Sequence, residues 1–228
     1  MWAKFARFIL RNRILIIVVL TVITGILGYY ASKAQISYEA PRLLPEHDTT
    51  AIKYKAFKDR FGQDGSVMVI GISDSTLYSV KNFNSWFDLG NDLKKINGVK
   101  AVVSVARLQT LLKNDSLGKF STVAVFPEKP TSQKELDSTR KLIDKLKFYN
   151  GIIYNDTAHA TLMAITFDNR FLNTKDRLEI VDNITAEVNK FVKATGIFVH
   201  YSGMPYIRTA VARKIQNEMT LFMILAII

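Results

Sequence analysis

The stretch "SVMVIGISDSTLYSVKNFNSWFDLGNDLKKINGVKAVVSV", residues 66–105, decides the fold class. Its opening, "SVMVIGIS" (66–73), is short, continuous and β-branched, which predicts a buried strand. Val80, Phe83, Phe87 and Ile96 then recur at helical spacing, so 79–96 is expected to be a helix. Gly98 stops that helix, and "VKAVVSV" (99–105) begins a second strand. The segment therefore reads as a βαβ unit.

The same order returns further on. "ATLMAITF" (160–167) predicts a strand, and Thr174 to Ala194 predicts a helix with Leu178, Val181, Ile184, Val188, Phe191 and Val192 along one face. Gly196 is placed to cap it, and "IFVHYS" (197–202) is a last strand. Two such units in succession predict an α+β, ferredoxin-like βαββαβ domain over 66–204. Residues 107–158 form an insertion between the halves. It holds a predicted strand, "STVAVF" (121–126), and a charged helix from about Thr131 to Phe148. The thin apolar face of that helix (Leu136, Ile143, Leu146) marks a surface element.

Before the domain, Arg13 and Lys33 bracket the uncharged run "ILIIVVLTVITGILGYYAS" (14–32). As a helix this run rises roughly 28 Å, the depth of a hydrocarbon core. Thr21 and Thr24 can bond back to the helix, and Tyr29 and Tyr30 suit an interfacial belt. Lys4, Arg7, Arg11 and Arg13 precede the run with no acid among them. They are the orienting residues, predicting a cytoplasmic N-terminus (1–13) and an extracytoplasmic body. A cleaved signal peptide is the competing reading, but the apolar run is longer than the usual signal core.

Residues 33–65 form a linker and a short amphipathic helix. Pro41 and Pro45 keep the first part extended. Asp48 or Thr49 can cap a helix on which Tyr54, Phe57 and Phe61 share a face, with Gly62 as its stop. That face is expected to pack on the body, the alternative being a substrate-contacting stripe. At the other end, Pro205 suits the first turn of a helix. Ile207, Val211, Ile215 and Met219 follow at intervals of four, and nothing interrupts the chain before "MTLFMILAII" (219–228). Residues 205–228 are thus expected to form one helix that leaves the domain and starts a second membrane span.

Composition narrows the chemistry. The chain has 228 residues and no cysteine, so disulfides, thiolate metal sites and cysteine nucleophiles are excluded. A net charge of +11 arises from 31 Lys and Arg against 20 Asp and Glu. Beyond the N-terminus these charges are interspersed, which argues against a nucleic-acid partner. His47, His159 and His200 are far apart, without metal-ligand spacing. No phosphate loop, dinucleotide fingerprint or nucleophile elbow is present. The sequons at Asn114, Asn155 and Asn183 fit chance. The residues therefore point away from an enzyme and imply no cofactor and no metal. The complete apolar run carries no ionisable residue, so any proton-coupling site lies outside it.

A basic N-terminus, an apolar run, "LLPEHDTTAIKYKAFKDRFGQDGSVMVIGI" (43–72), an α+β body and "YSGMPYIRTAVARKIQNEMTLFMILAII" (201–228) occur in this order. The pattern resembles the N-terminal portion of resistance–nodulation–division superfamily transporters, especially the lipid-exporter-like MMPL branch. In that family, "LLP" plus an acid, a helix ending in "FG" and a strand follow the first span. A "tG-x-p" element precedes the second, here Ser202, Gly203, Met204 and Pro205. The resemblance implies the first span, first porter domain and start of span two of a proton-driven exporter of hydrophobic or amphiphilic molecules. It implies a bacterial inner membrane, a periplasmic body, and as partners the bilayer, the remaining spans and a second porter domain. The relay residues of the family lie in later spans and map to nothing here. By analogy Tyr54, Phe57, Phe61 and Trp86 are substrate-path residues, with ordinary packing as the alternative for each. A complete, membrane-anchored binding or scaffolding protein is the other function the sequence allows.

Overall fold

Strand and helix periodicities alternate along the body, and the elements follow them. A computed structural model describes residues 10–32, 45, 47–61, 65–114, 118–155 and 158–227. The chain divides into two units, Met1–Ser37 and Tyr38–Ile228. Among the described residues there are six α-helices and two antiparallel sheets, an α+β fold.

The first unit contains α1 (Arg13–Ser32). Its window Arg13–Tyr30 has a mean hydropathy of 2.1 and no buried residue, and is long and apolar enough to cross a membrane. The Thr21 hydroxyl donates to the Ile17 carbonyl at 2.9 Å, removing the polar cost of a hydroxyl in an apolar helix.

In the second unit, α2 (Thr49–Phe61) starts where Asp48 accepts a hydrogen bond from Thr50 N–H at 2.7 Å. Gly62, its expected stop, lies outside the described residues. Strand β1 (Val67–Ile72) follows, then a 3-10 turn (Ser75–Tyr78), α3 (Val80–Lys95) and β2 (Val99–Ser104). The later elements are β3 (Gln109–Asn114), β4 (Lys119–Ala124), α4 (Gln133–Ile143), β5 (Tyr154–Asn155), β6 (Ala160–Phe167), α5 (Asp176–Thr195), β7 (His200–Ser202) and α6 (Met204–Ile227).

The main sheet runs β2-β6-β1-β7, every neighbouring pair antiparallel, with β5 attached to β6. Val69 lies opposite Ala164, and Ile70 opposite both Met163 and Tyr201. One face is closed by α3 and α5. Met68, Ile70, Ile72, Met163, Ile165 and Phe167 meet Phe83, Leu89, Leu93, Ile184 and Val188 there, all nearly free of solvent contact. The strand at 66–73 is therefore buried on alternate residues, not throughout. Both helices cover the same face, so Val67, Val69 and Gly71 point to the other one.

The insertion departs most from expectation. The strand expected at 121–126 is β4, the second arm of a hairpin whose first arm, β3, has no clear apolar pattern. This hairpin is a separate two-stranded sheet with Leu111, Leu112 and Phe120 exposed. The surface helix ends at Ile143, five residues short of Phe148. The Tyr154 hydroxyl donates to the Ile143 carbonyl at 2.8 Å, supplying a partner to the helix end. Leu136 and Ile143 are buried as expected.

Two glycine stops hold. Gly196 has φ +73° and donates to Val192 O at 2.8 Å, closing α5. After β6, Asp168 N–H donates to Gly98 O at 2.8 Å, and its carboxylate accepts from Arg170 Nε and Nη2 at 3.0 and 2.6 Å. These bonds from Arg170 lower the Asp168 pKa from 3.8 to about 2. A carboxylate depressed on folding contributes stability that is complete above its unfolded pKa and is lost as pH falls through the folded one. Wild-type thermal midpoints are thus expected to fall between pH 3.8 and about 2 more steeply than those of Asp168→Asn. Identical acid limbs for the two proteins would show that the pair contributes nothing.

Candidate functional site

The aromatic face of α2 is less buried than expected at the two residues whose side chains are described. Tyr54 and Phe57 keep 53% and 47% of their surface in solvent, and Lys58 Nζ lies over the Tyr54 ring, 5.7 Å from its centroid. Phe61 ends the helix, and its side chain is outside the described residues. Trp86 takes the opposite role. It is fully buried in α3, with its ring centroid 5.4 Å from that of Phe191 on α5. A side chain without exposed surface cannot meet cargo in this conformation, so Trp86 is a core residue. Among the basic residues, Arg11 and Arg13 are at the start of the α1 region, with Arg13 exposed and Arg11 also exposed; Lys4 and Arg7 lie outside the described residues.

The C-terminal helix is fixed at its base and bare beyond it. Gly203 turns the chain from β7 into α6 with φ +100°, a conformation that favours glycine. Pro205 and Thr209 are buried, and the Thr209 hydroxyl donates to Pro205 O at 2.8 Å. The Tyr206 ring stacks on Tyr201, 5.1 Å between centroids and 19° between planes. Arg213 donates to the Asp182 carboxylate on α5. Ile207, Val211, Ile215 and Met219 lie on another face and are each about half exposed, at 47–52%. The apolar stripe thus points away from the body, because the small and aromatic side chains between its members make the body contact. The helix continues without a break through Leu221, Phe222, Met223, Ile224 and Leu225, all exposed.

A second feature escaped the sequence reading. A shallow cleft of about 30 Å³ opens between the 3-10 turn, α4, β5 and the start of β6. Tyr78, Arg140, Asn155, His159 and Thr161 line it. The Tyr78 hydroxyl and Thr161 Oγ1 are 3.0 Å apart, joining the turn to β6. The Arg140 guanidinium lies over the Tyr78 ring, 4.0 Å from its centroid. Asn155 Oδ1 accepts the Ala158 N–H at 3.0 Å, next to His159. His159 has φ +48°, the one non-glycine residue with positive φ among those described. No motif announces these residues, since Tyr78 and Thr161 meet across 83 positions of chain.

Among the described residues, no group of three or more His, Cys, Asp or Glu side chains is arranged to hold a metal ion. His47 is in a turn, His159 borders the cleft, and His200 is on β7 with its ring 5.0 Å from that of Phe198. No protein-family model matches the chain, and no curated protein matches it.

Proposed function

We propose that the chain is the N-terminal part of a proton-driven exporter of the MMPL-like branch, contributing its first span and first porter domain. The observation that carries this reading is the continuity of α6. A helix anchored to the body by Pro205, Tyr206, Thr209 and Arg213 runs unbroken into an exposed apolar stretch. Such a stretch in water is unfavourable by about 25 cal/mol per Å² of apolar surface, and a bilayer relieves this. The order β7-β1-β6-β2, antiparallel throughout, supports a ferredoxin-like domain. α1 is the first span in this reading, with Arg11 and Arg13 on its cytoplasmic side and the body in the periplasm. The remaining spans supply the proton relay, and the cargo is hydrophobic or amphiphilic. In this reading the chain is a structural part of the transporter, not an enzyme. Exposed Tyr54 and Phe57 are its substrate-path residues.

The absence of cysteine allows a clean test of topology. In cells with a permeabilised outer membrane, Lys134→Cys is expected to react with a membrane-impermeant maleimide. Lys4→Cys is expected to react only after lysis. A protein carrying the native residues that follow Ile228, with a cysteine just past the apolar stretch, is expected to behave like Lys4→Cys. Reaction of that third cysteine from outside would favour an anchored binding or scaffolding protein.

A further inference from the structure

We propose that the cleft between the 3-10 turn and α4 binds a phosphate group, free or on a lipid headgroup, with Arg140 as its main contact. This proposal is independent of the exporter reading.

Arg140 has an acid three residues before it on α4, Asp137, and another four after it at the helix C-cap, Asp144, the usual spacings for a partner of a helical arginine. Neither pairs with it, and no carboxylate among the described residues is within ion-pairing distance. Asp137 instead accepts from Gln133 Nε2 at 2.9 Å. The guanidinium is turned onto the Tyr78 ring, whose own position is set by Thr161 and by stacking on Phe83, 6.3 Å away at 28°. A cation is thus held against a stiff wall with its planar fork available at the cleft.

The rest of the lining favours the same sign of charge. Among the described residues that line the cleft there is no carboxylate. Asn155 uses its oxygen on Ala158, which leaves its NH₂ to donate outward. The Ser75 hydroxyl can donate, and so can a ring nitrogen of His159. An arginine fork beside several donors fits a phosphate bidentately. Because the cleft is open to solvent and screened, the affinity is expected to be about 1 mM.

The test uses the full chain in a nonionic detergent. Two probes are titrated under phosphorus NMR: inorganic phosphate, and dihexanoyl phosphatidylglycerol below its micellar concentration. Saturable binding of phosphate identifies a free anion as ligand, and binding of the lipid alone identifies a headgroup. In either case Arg140→Gln is expected to weaken binding about tenfold or more. Lys141→Gln, which removes the same charge from the next position of α4, is expected to change it less than twofold. Near-ultraviolet circular dichroism checks that both variants keep the fold. Absence of saturable binding with both probes overturns the proposal. So does equal weakening by the two variants, which marks a diffuse effect of the protein's positive charge.

Discussion

Gly203→Ala is expected to lower the stability of the body by about 4 kcal/mol or more, a large part of what a domain of this size has. Two effects act together. At φ +100° an L side chain is strained, at a cost of about 1–3 kcal/mol. A Cβ at this position would also lie 2.3 Å from the Val67 carbonyl oxygen and 2.9 Å from Met68 Cα. Those are backbone atoms of the central strand β1, which cannot turn aside as a side chain could. The glycine is needed because the chain crosses β1 at van der Waals distance before starting α6. Gly151→Ala is the control: φ is +79° there, but nothing lies within 4 Å, so only strain of about 1 kcal/mol is expected. Urea unfolding followed by Trp86 fluorescence, in a Trp2→Phe background, measures both. Equal midpoints for the two variants would show that the clash with β1 is relieved cheaply, and the account of this junction would fail.

Trp86→Ala is expected to cost about 3–5 kcal/mol, the range for deleting a large buried aromatic side chain. The indole is fully buried, and its contact with Phe191 joins α3 to α5 above the sheet. Its Nε1 has no hydrogen-bond partner among the described residues, so the loss is one of packing. Trp86→Phe keeps most of the volume and is expected to cost about 1–2 kcal/mol. Urea unfolding followed by far-ultraviolet circular dichroism measures both changes. A wild-type midpoint for Trp86→Ala, with cargo binding lost, would restore Trp86 to the substrate path.

The contrast between Trp86 and the α2 aromatics shows where sequence reading stops. Both helices carry aromatic residues at helical spacing, although α3 is strongly amphipathic and α2 only weakly so. Helical spacing locates Tyr54, Phe57 and Trp86 on faces, but it does not say how deeply each face is buried. α3 is joined through short connections to β1 and β2, so its apolar face meets the sheet. Tyr54 and Phe57 remain about half exposed. The hairpin β3–β4 makes the same point. Its first arm, "QTLLKN", lacks alternation, and its pairing with residues 119–124 is what makes it a strand.

By itself the sequence determined the local elements whose signals lie within one or two turns of chain. These are the apolar helix α1, the positions of β1, β2, β6, α3 and α5, the stops at Gly98 and Gly196, and the unbroken run of α6. Periodicity, β-branching and glycine conformation act on neighbouring residues, so they can be read locally. Only the tertiary structure decided that both covering helices share one face of the sheet and that Trp86 is core. It also turned the stripe from Ile207 to Met219 outward and closed a cleft around Arg140. Each of these depends on contacts between distant segments, as between Tyr78 and Thr161 or Gly203 and Val67. Such contacts come from close packing of the whole domain, a condition that no short window of sequence contains.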